Sequence, residues 1–188
     1  LSGHNPPDFR SGRETRVRAV HGPHESSTLI TGPAHRRSMA FDDMDVDTIW
    51  MDGEFVDWDD AQTHVLTHSL HYGTGVFEGA RCYDTVDGPA LFRWEEHLDR
   101  LFDSAKVLDH DIDHTRETLT DATLSLIREQ GLASCYIRPL VYYGYNSLGV
   151  SPKDCPTRTT IACWPWGTYL GEEAIEEGVD VMVSSWRK

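Results

Sequence analysis

Apolar and polar positions follow no period over residues 1–38, alternate in short runs from Asp47 onward, and recur at helical spacing in two stretches between residues 94 and 130. The first regular unit is Thr48-Ile-Trp-Met51, Asp52-Gly53, Glu54-Phe-Val-Asp-Trp58. This predicts a hairpin in which the Asp-Gly pair supplies the positive φ values of a tight turn. Asp59–Gln62 predicts a brief helical turn, and two further strands are expected at 76–84 and 89–93 around the turn Thr85–Pro89. A helix is predicted from Trp94 to Leu108, because Leu98, Leu101, Phe102, Ala105 and Leu108 share one face. A second, from Thr115 to Gln130, buries Leu119, Ala122, Leu126 and Ile127 and stops at Gly131 as a C′ residue. Strands follow at 134–144, 158–165 and 179–185. The pattern is that of an α+β domain with its strands mostly in hairpins.

Composition divides the chain further. Residues 1–38 hold six arginines against three acids, while residues 39–188 hold 11 basic and 28 acidic side chains, which together give the net charge of −14. The first segment, rich in Arg, His, Gly, Pro and Ser, reads as a disordered basic arm, and the native product is expected to start at Met39, where the composition switches. Residues 39–172 read as a small α+β domain. Residues 173–188 read as a linker and the first strand of a larger domain lying beyond Lys188.

So acidic a body repels nucleic acid and anionic membrane. With only three lysines, at 106, 153 and 188, it suggests a protein kept in solution at high salt. No apolar run is long enough to span a bilayer, and the first residues carry no signal-peptide core. Cysteines at 82, 135, 155 and 163 form no C-x-x-C pair, which argues against a zinc ribbon or disulfide framework and for a reducing cytoplasm.

Chemistry concentrates in His68–Tyr83, HSLHYGTGVFEGARCY. Gly73, Gly75 and Gly79 allow close approach of backbone to a ligand; Tyr72, Phe77, Arg81 and Tyr83 supply flat walls and a fixed positive charge. Arg138, in Tyr136-Ile-Arg-Pro-Leu140, sits in an apolar strand and needs a partner. That partner is either a structural carboxylate or the carboxylate of a substrate. Ala162-Cys-Trp-Pro-Trp-Gly-Thr-Tyr169 places three large aromatics around a Pro and a Gly, as a pocket wall does. Asn146–Val150 is a turn or a lid. Arg100 lies on the polar side of its helix, where an arginine ordinarily forms a solvated ion pair. His64, His68 and His71 lack a completing carboxylate or cysteine, and the segment is too glycine-rich for a stable helix, so no metal site is expected. Walker, G-x-S-x-G and G-x-G-x-x-G patterns do not occur.

In this order, His71–Tyr83, Glu96-His-Leu-Asp-Arg-Leu101, Tyr136-Ile-Arg-Pro139 and Trp164-Pro-Trp-Gly-Thr-Tyr-Leu170 resemble the branched-chain amino acid aminotransferases. These are pyridoxal 5′-phosphate enzymes of the fold-type IV class, and the similarity runs from about Thr48 to Ser185. The resemblance implies the N-terminal small domain of such an enzyme, with Arg100 at the cofactor phosphate. It implies that Phe77, Gly79, Tyr136, Trp166 and Tyr169 line the pocket for the aliphatic side chain, and that Arg138 handles the acidic co-substrate. Tyr72, Leu148 and Val150 match positions that reach a neighbouring subunit's site, which implies at least a homodimer. The implied reaction moves an amino group between leucine, isoleucine or valine and 2-oxoglutarate. Its Schiff-base lysine is expected roughly ten residues past Lys188. Lys106, Lys153 and Lys188 do not suit that role, so the chain alone is expected to be inactive. D-amino acid transaminase, aminodeoxychorismate lyase and a non-catalytic small-domain binding module are the alternatives.

Overall fold

A computed structural model describes residues 46–166 and Gly178. The basic arm, the expected strand at 179–185 and Tyr169 lie outside the described residues. The predicted hairpin is present: β1 (Thr48–Met51) pairs with β2 (Glu54–Asp57) about a turn with φ of 48° at Asp52 and 103° at Gly53. Those two positive values match the right-handed twist of the flanking strands. The Asp52 carboxylate then ties the turn to a neighbouring strand, accepting from Thr159 N at 2.7 Å and Arg158 Nη1 at 3.0 Å. A 3-10 turn follows at Trp58–Asp60.

α1 (His68–Tyr72) overturns the expectation that this segment is too glycine-rich for a helix. The glycines all fall after it, and Gly73 terminates it in the left-handed region at φ 63°. Tertiary contacts fix this single turn, since His68 is fully buried and bonds Gly144 O through its backbone and Gly149 O through Nε2.

The strand expected over 76–84 is two segments, β3 (Val76–Phe77) and β4 (Ala80–Thr85). Both pair antiparallel with β6 (Cys135–Tyr143) in one continuous register, Phe77 opposite Leu140 and Ala80 opposite Ile137. That register sets Glu78 opposite Pro139. Glu78 N–H reaches Pro139 O at 3.1 Å, but proline has no N–H to return, so the ladder is interrupted there. β5 (Gly88–Leu91) and β7 (Thr157–Trp164) complete an all-antiparallel sheet of order β2-β1-β7-β6-β4-β5, with β3 beside β6 in line with β4.

α2 (Trp94–Val107) and α3 (Arg116–Glu129) cover one face of this sheet. Thr115 caps α3 by accepting from Thr118 N at 3.1 Å, and Gly131 follows its end at φ 62°. Leu98, Leu101, Leu119 and Leu126 pack against Ile137, Val141 and Ile161 with essentially no exposure, each burial contributing about 1.5–3 kcal/mol. Cys82, Cys135 and Cys163, from three adjacent strands, meet in the same core as free thiols. Burial pushes the Cys82 thiol up.

Candidate active site

Strand alternation sorts the residues of β3, β4 and β6 onto opposite faces. Ile137, Pro139 and Val141 point to the helices; Tyr136, Arg138 and Leu140 point to the open face and are only half-buried. The shared register puts Phe77 beside Leu140 and Arg81 beside Tyr136 on that open face. Across β7, Trp164 stands opposite Tyr136 and Ala162 opposite Arg138.

Of the sequence-predicted pocket residues, Phe77, Gly79, Tyr136, Arg138 and Trp166 come together here, and Tyr169 lies outside the described residues. The Arg138 guanidinium lies 4.3 Å from the Phe77 ring centroid, and its Nε and Nη2 donate to the Tyr136 hydroxyl at 3.2 and 2.8 Å. Tyr136 packs against Trp164 and Trp166 at centroid distances of 5.0 and 4.6 Å. Arg81 Nη2 donates to Trp166 O at 2.7 Å, so it braces this wall. Gly79 lies against Tyr136: a Cβ there would overlap the phenolic oxygen and stand 3.0 Å from Cζ. Of the two partners expected for Arg138, a structural carboxylate is absent among the described residues; the guanidinium rests on aromatic faces and one hydroxyl.

Glu78, between Phe77 and Gly79, points to the other side of the sheet. It is 6% exposed and meets α2, where Arg100 Nε and Nη2 donate to it at 2.6 and 2.5 Å. His97 Nδ1 lies 2.9 Å from Oε2; with its proton on that nitrogen it supplies a third donor. Burial alone would raise the Glu78 pKa, but the hydrogen bonds and charges of Arg100 and His97 hold it below the ordinary carboxylate value. The Arg100 side chain remains 61% exposed, and its Nη1 has no protein partner among the described residues. One edge of the fork is therefore engaged and the other is open to an anion. The residues alone read Arg100 as a solvated ion pair and the resemblance put it at the cofactor phosphate; neither singled out its partner Glu78, for which alternation away from Phe77 and Gly79 was the available signal.

Tyr72 and Leu148 meet away from the aromatic wall, at α1, whose Ser69 hydroxyl accepts from Tyr143 N at the opposite end of β6 from Tyr136. The Tyr72 hydroxyl donates to Leu148 O at 2.9 Å, and its ring stacks on His68 at 4.5 Å. Val150 is 83% exposed. Lys106, on α2, and Lys153 are both exposed. A cavity of about 320 Å³ opens beside the aromatic wall, between Ile49, Met51 and Ala162 of the sheet and Thr67 and Leu70. Among the described residues no group of histidine, cysteine or acid side chains could hold a metal ion, and no helix is long and apolar enough to cross a membrane.

Comparison with known proteins places the chain. The family model for amino-transferase class IV matches residues 75–187. A branched-chain-amino-acid aminotransferase of Pseudomonas aeruginosa is 50% identical over 140 residues, covering 74% of this chain and 46% of that relative. The crystal structure of the Escherichia coli branched-chain amino acid aminotransferase superposes with a TM-score of 0.73 at 49% identity, over 76% of this chain and 47% of that one. The branched-chain amino acid aminotransferase of T.th., complexed with N-(5′-phosphopyridoxyl)-L-glutamate, gives a TM-score of 0.64 at 47% identity, over 67% and 42%. The chain thus spans about half the length of the relatives it matches. Its fold is that of the fold-type IV aminotransferases, seen here as an antiparallel sheet with helices on one face. By the family match over more than half its residues, the chain belongs to the class IV amino-transferases.

Proposed function

We propose that this chain supplies the small domain of a branched-chain amino acid transaminase, which moves the amino group of leucine, isoleucine or valine to 2-oxoglutarate with pyridoxal 5′-phosphate. The observation that carries the reading is Arg138, whose guanidinium lies over the Phe77 ring with its N–H groups on the Tyr136 hydroxyl. In that pose it leaves an apolar wall for an aliphatic side chain; swung outward, it offers a guanidinium fork to the second carboxylate of glutamate or 2-oxoglutarate. Gly79, Trp166 and Tyr169 complete the wall in this proposal. Close relatives that carry the branched-chain name support it over D-amino acid transaminase and aminodeoxychorismate lyase.

The donor set fits the phosphate end of the cofactor, since Arg100 has an open edge and stands on an anchored carboxylate. When bound, the cofactor supplies the electron sink for chemistry at the substrate α-carbon. The residues described here orient substrate and phosphate; the exposed Lys106 and Lys153 lack the desolvated setting that a reactive lysine requires, and we place the lysine that attaches the cofactor outside residues 46–166. The exposed Tyr72, Leu148 and Val150 are proposed to complete the site of a second subunit, in a cytoplasmic homodimer suited to high salt by its acidic surface.

The test is amino transfer by the whole protein supplied with pyridoxal 5′-phosphate and 2-oxoglutarate. L-leucine, L-isoleucine and L-valine should yield glutamate and D-alanine should not. Turnover of D-alanine without turnover of L-leucine would replace this reading with the D-amino acid one.

A further inference from the structure

We propose that Glu78 is the positioning residue of the phosphate anchor: clamped by His97, it fixes which edge of the Arg100 guanidinium faces an incoming phosphorylated ligand. This rests on the reading of Arg100 as the group that meets the cofactor phosphate. An arginine on an exposed helix face samples many rotamers, and ordering it costs side-chain entropy. Here that cost is met before any ligand arrives. Glu78 engages Nε and Nη2 together, which leaves only Nη1 and the outer edge for a second anion. The carboxylate itself is enclosed, being 6% exposed, on a backbone bonded to Pro139 O, and 2.9 Å from His97 Nδ1.

The position of Glu78 in the chain adds a second consequence. Its neighbours Phe77 and Gly79 belong to the apolar wall, so the same peptide segment carries the phosphate anchor on one face and the substrate contact on the other. A carboxylate near a phosphate also repels it, and a residue acting chiefly in that way would weaken anion binding. The guanidinium takes up both carboxylate oxygens, so we assign the larger effect to pre-ordering of the fork.

The experiment compares affinities of the whole protein for pyridoxal 5′-phosphate and for pyridoxal, which lacks the phosphate. Their ratio isolates the phosphate contribution from any general effect on folding. Arg100→Ala should lower the ratio, and Glu78→Gln should lower it at least about fivefold while pyridoxal affinity stays within about twofold. The double variant should fall no further than Arg100→Ala alone. Should Glu78→Gln not fold, His97→Phe removes one clamp from the carboxylate and should lower the ratio by about twofold or more. An unchanged ratio in Arg100→Ala would remove the anchor reading itself and the proposal with it. A lowered ratio in Arg100→Ala with an unchanged or raised one in Glu78→Gln, or in His97→Phe where that variant stands in, would overturn the positioning role alone.

Discussion

The Tyr136 hydroxyl occupies the space that a side chain on Gly79 would need. The same hydroxyl receives both N–H groups that Arg138 directs inward. Glycine at 79 is therefore a steric requirement of the pocket wall, not a turn, and any larger residue must displace the group on which Arg138 rests.

Gly79→Ala should accordingly move Tyr136 and release Arg138. Overpacking of this kind costs about 1–3 kcal/mol, which corresponds to a rise of about 5- to 140-fold in KM for L-leucine if it falls on binding. Adding Tyr136→Phe removes the overlapping oxygen and should recover part of the lost melting temperature. Steady-state kinetics and thermal melts of the single and double variants check both expectations; additive losses would mean that the two positions do not meet.

Tyr136→Phe alone leaves the aliphatic wall in place but deprives Arg138 of its hydroxyl partner. The KM for 2-oxoglutarate should then change at least about fivefold, while that for L-leucine stays within about twofold. Equal effects on both substrates would show that Arg138 does not distinguish the two half-reactions.

His110 makes the stability of the fold depend on pH. It is buried, with Nε2 2.6 Å from Thr74 O and its ring 4.0 Å from that of Tyr143. Burial pushes its pKa down, against the opposing effect of the Thr74 bond. The unfolded chain therefore takes up a proton first as pH falls. Stability from neutral burial is present above the ordinary histidine value of about 6.5 and is lost as pH falls through it toward the lower folded value. Melting temperature should drop between about pH 7.5 and 5.5, and the drop should be shallower in His110→Gln.

The acidic surface predicts a response to salt. With a net charge of −14, self-repulsion opposes the compact state and screening relieves it. Thermal melts should rise from low to molar KCl; a flat or falling series would remove the high-salt reading.

Much of the scaffold was legible in the sequence because its signals are local. α2 and α3 show their apolar faces at helical spacing, Thr115 and Gly131 mark the ends of α3, and Asp52-Gly53 marks the hairpin. What was not legible depends on pairing. The break at Glu78 follows from Pro139 standing opposite it, a register that no local pattern reveals. α1 exists because Gly144 and Gly149 hold His68, contacts remote in the chain. The three core cysteines have no suggestive spacing because they meet only once β4, β6 and β7 are side by side. Within the site, Phe77, Gly79, Arg138 and Trp166 drew attention by residue type, and Tyr136 only through the family resemblance. Glu78 was passed over because an acid amid pocket residues reads as solvated until Arg100 is seen to close on it.

The most direct test is a crystal structure of the whole protein bound to N-(5′-phosphopyridoxyl)-L-leucine. The account predicts Arg100 Nη1 within about 3 Å of a phosphate oxygen while Nε and Nη2 stay on Glu78, with the leucine side chain against Phe77, Gly79, Tyr136 and Trp166. A phosphate bound away from Arg100, or a leucine side chain on the other face of the sheet, would contradict it.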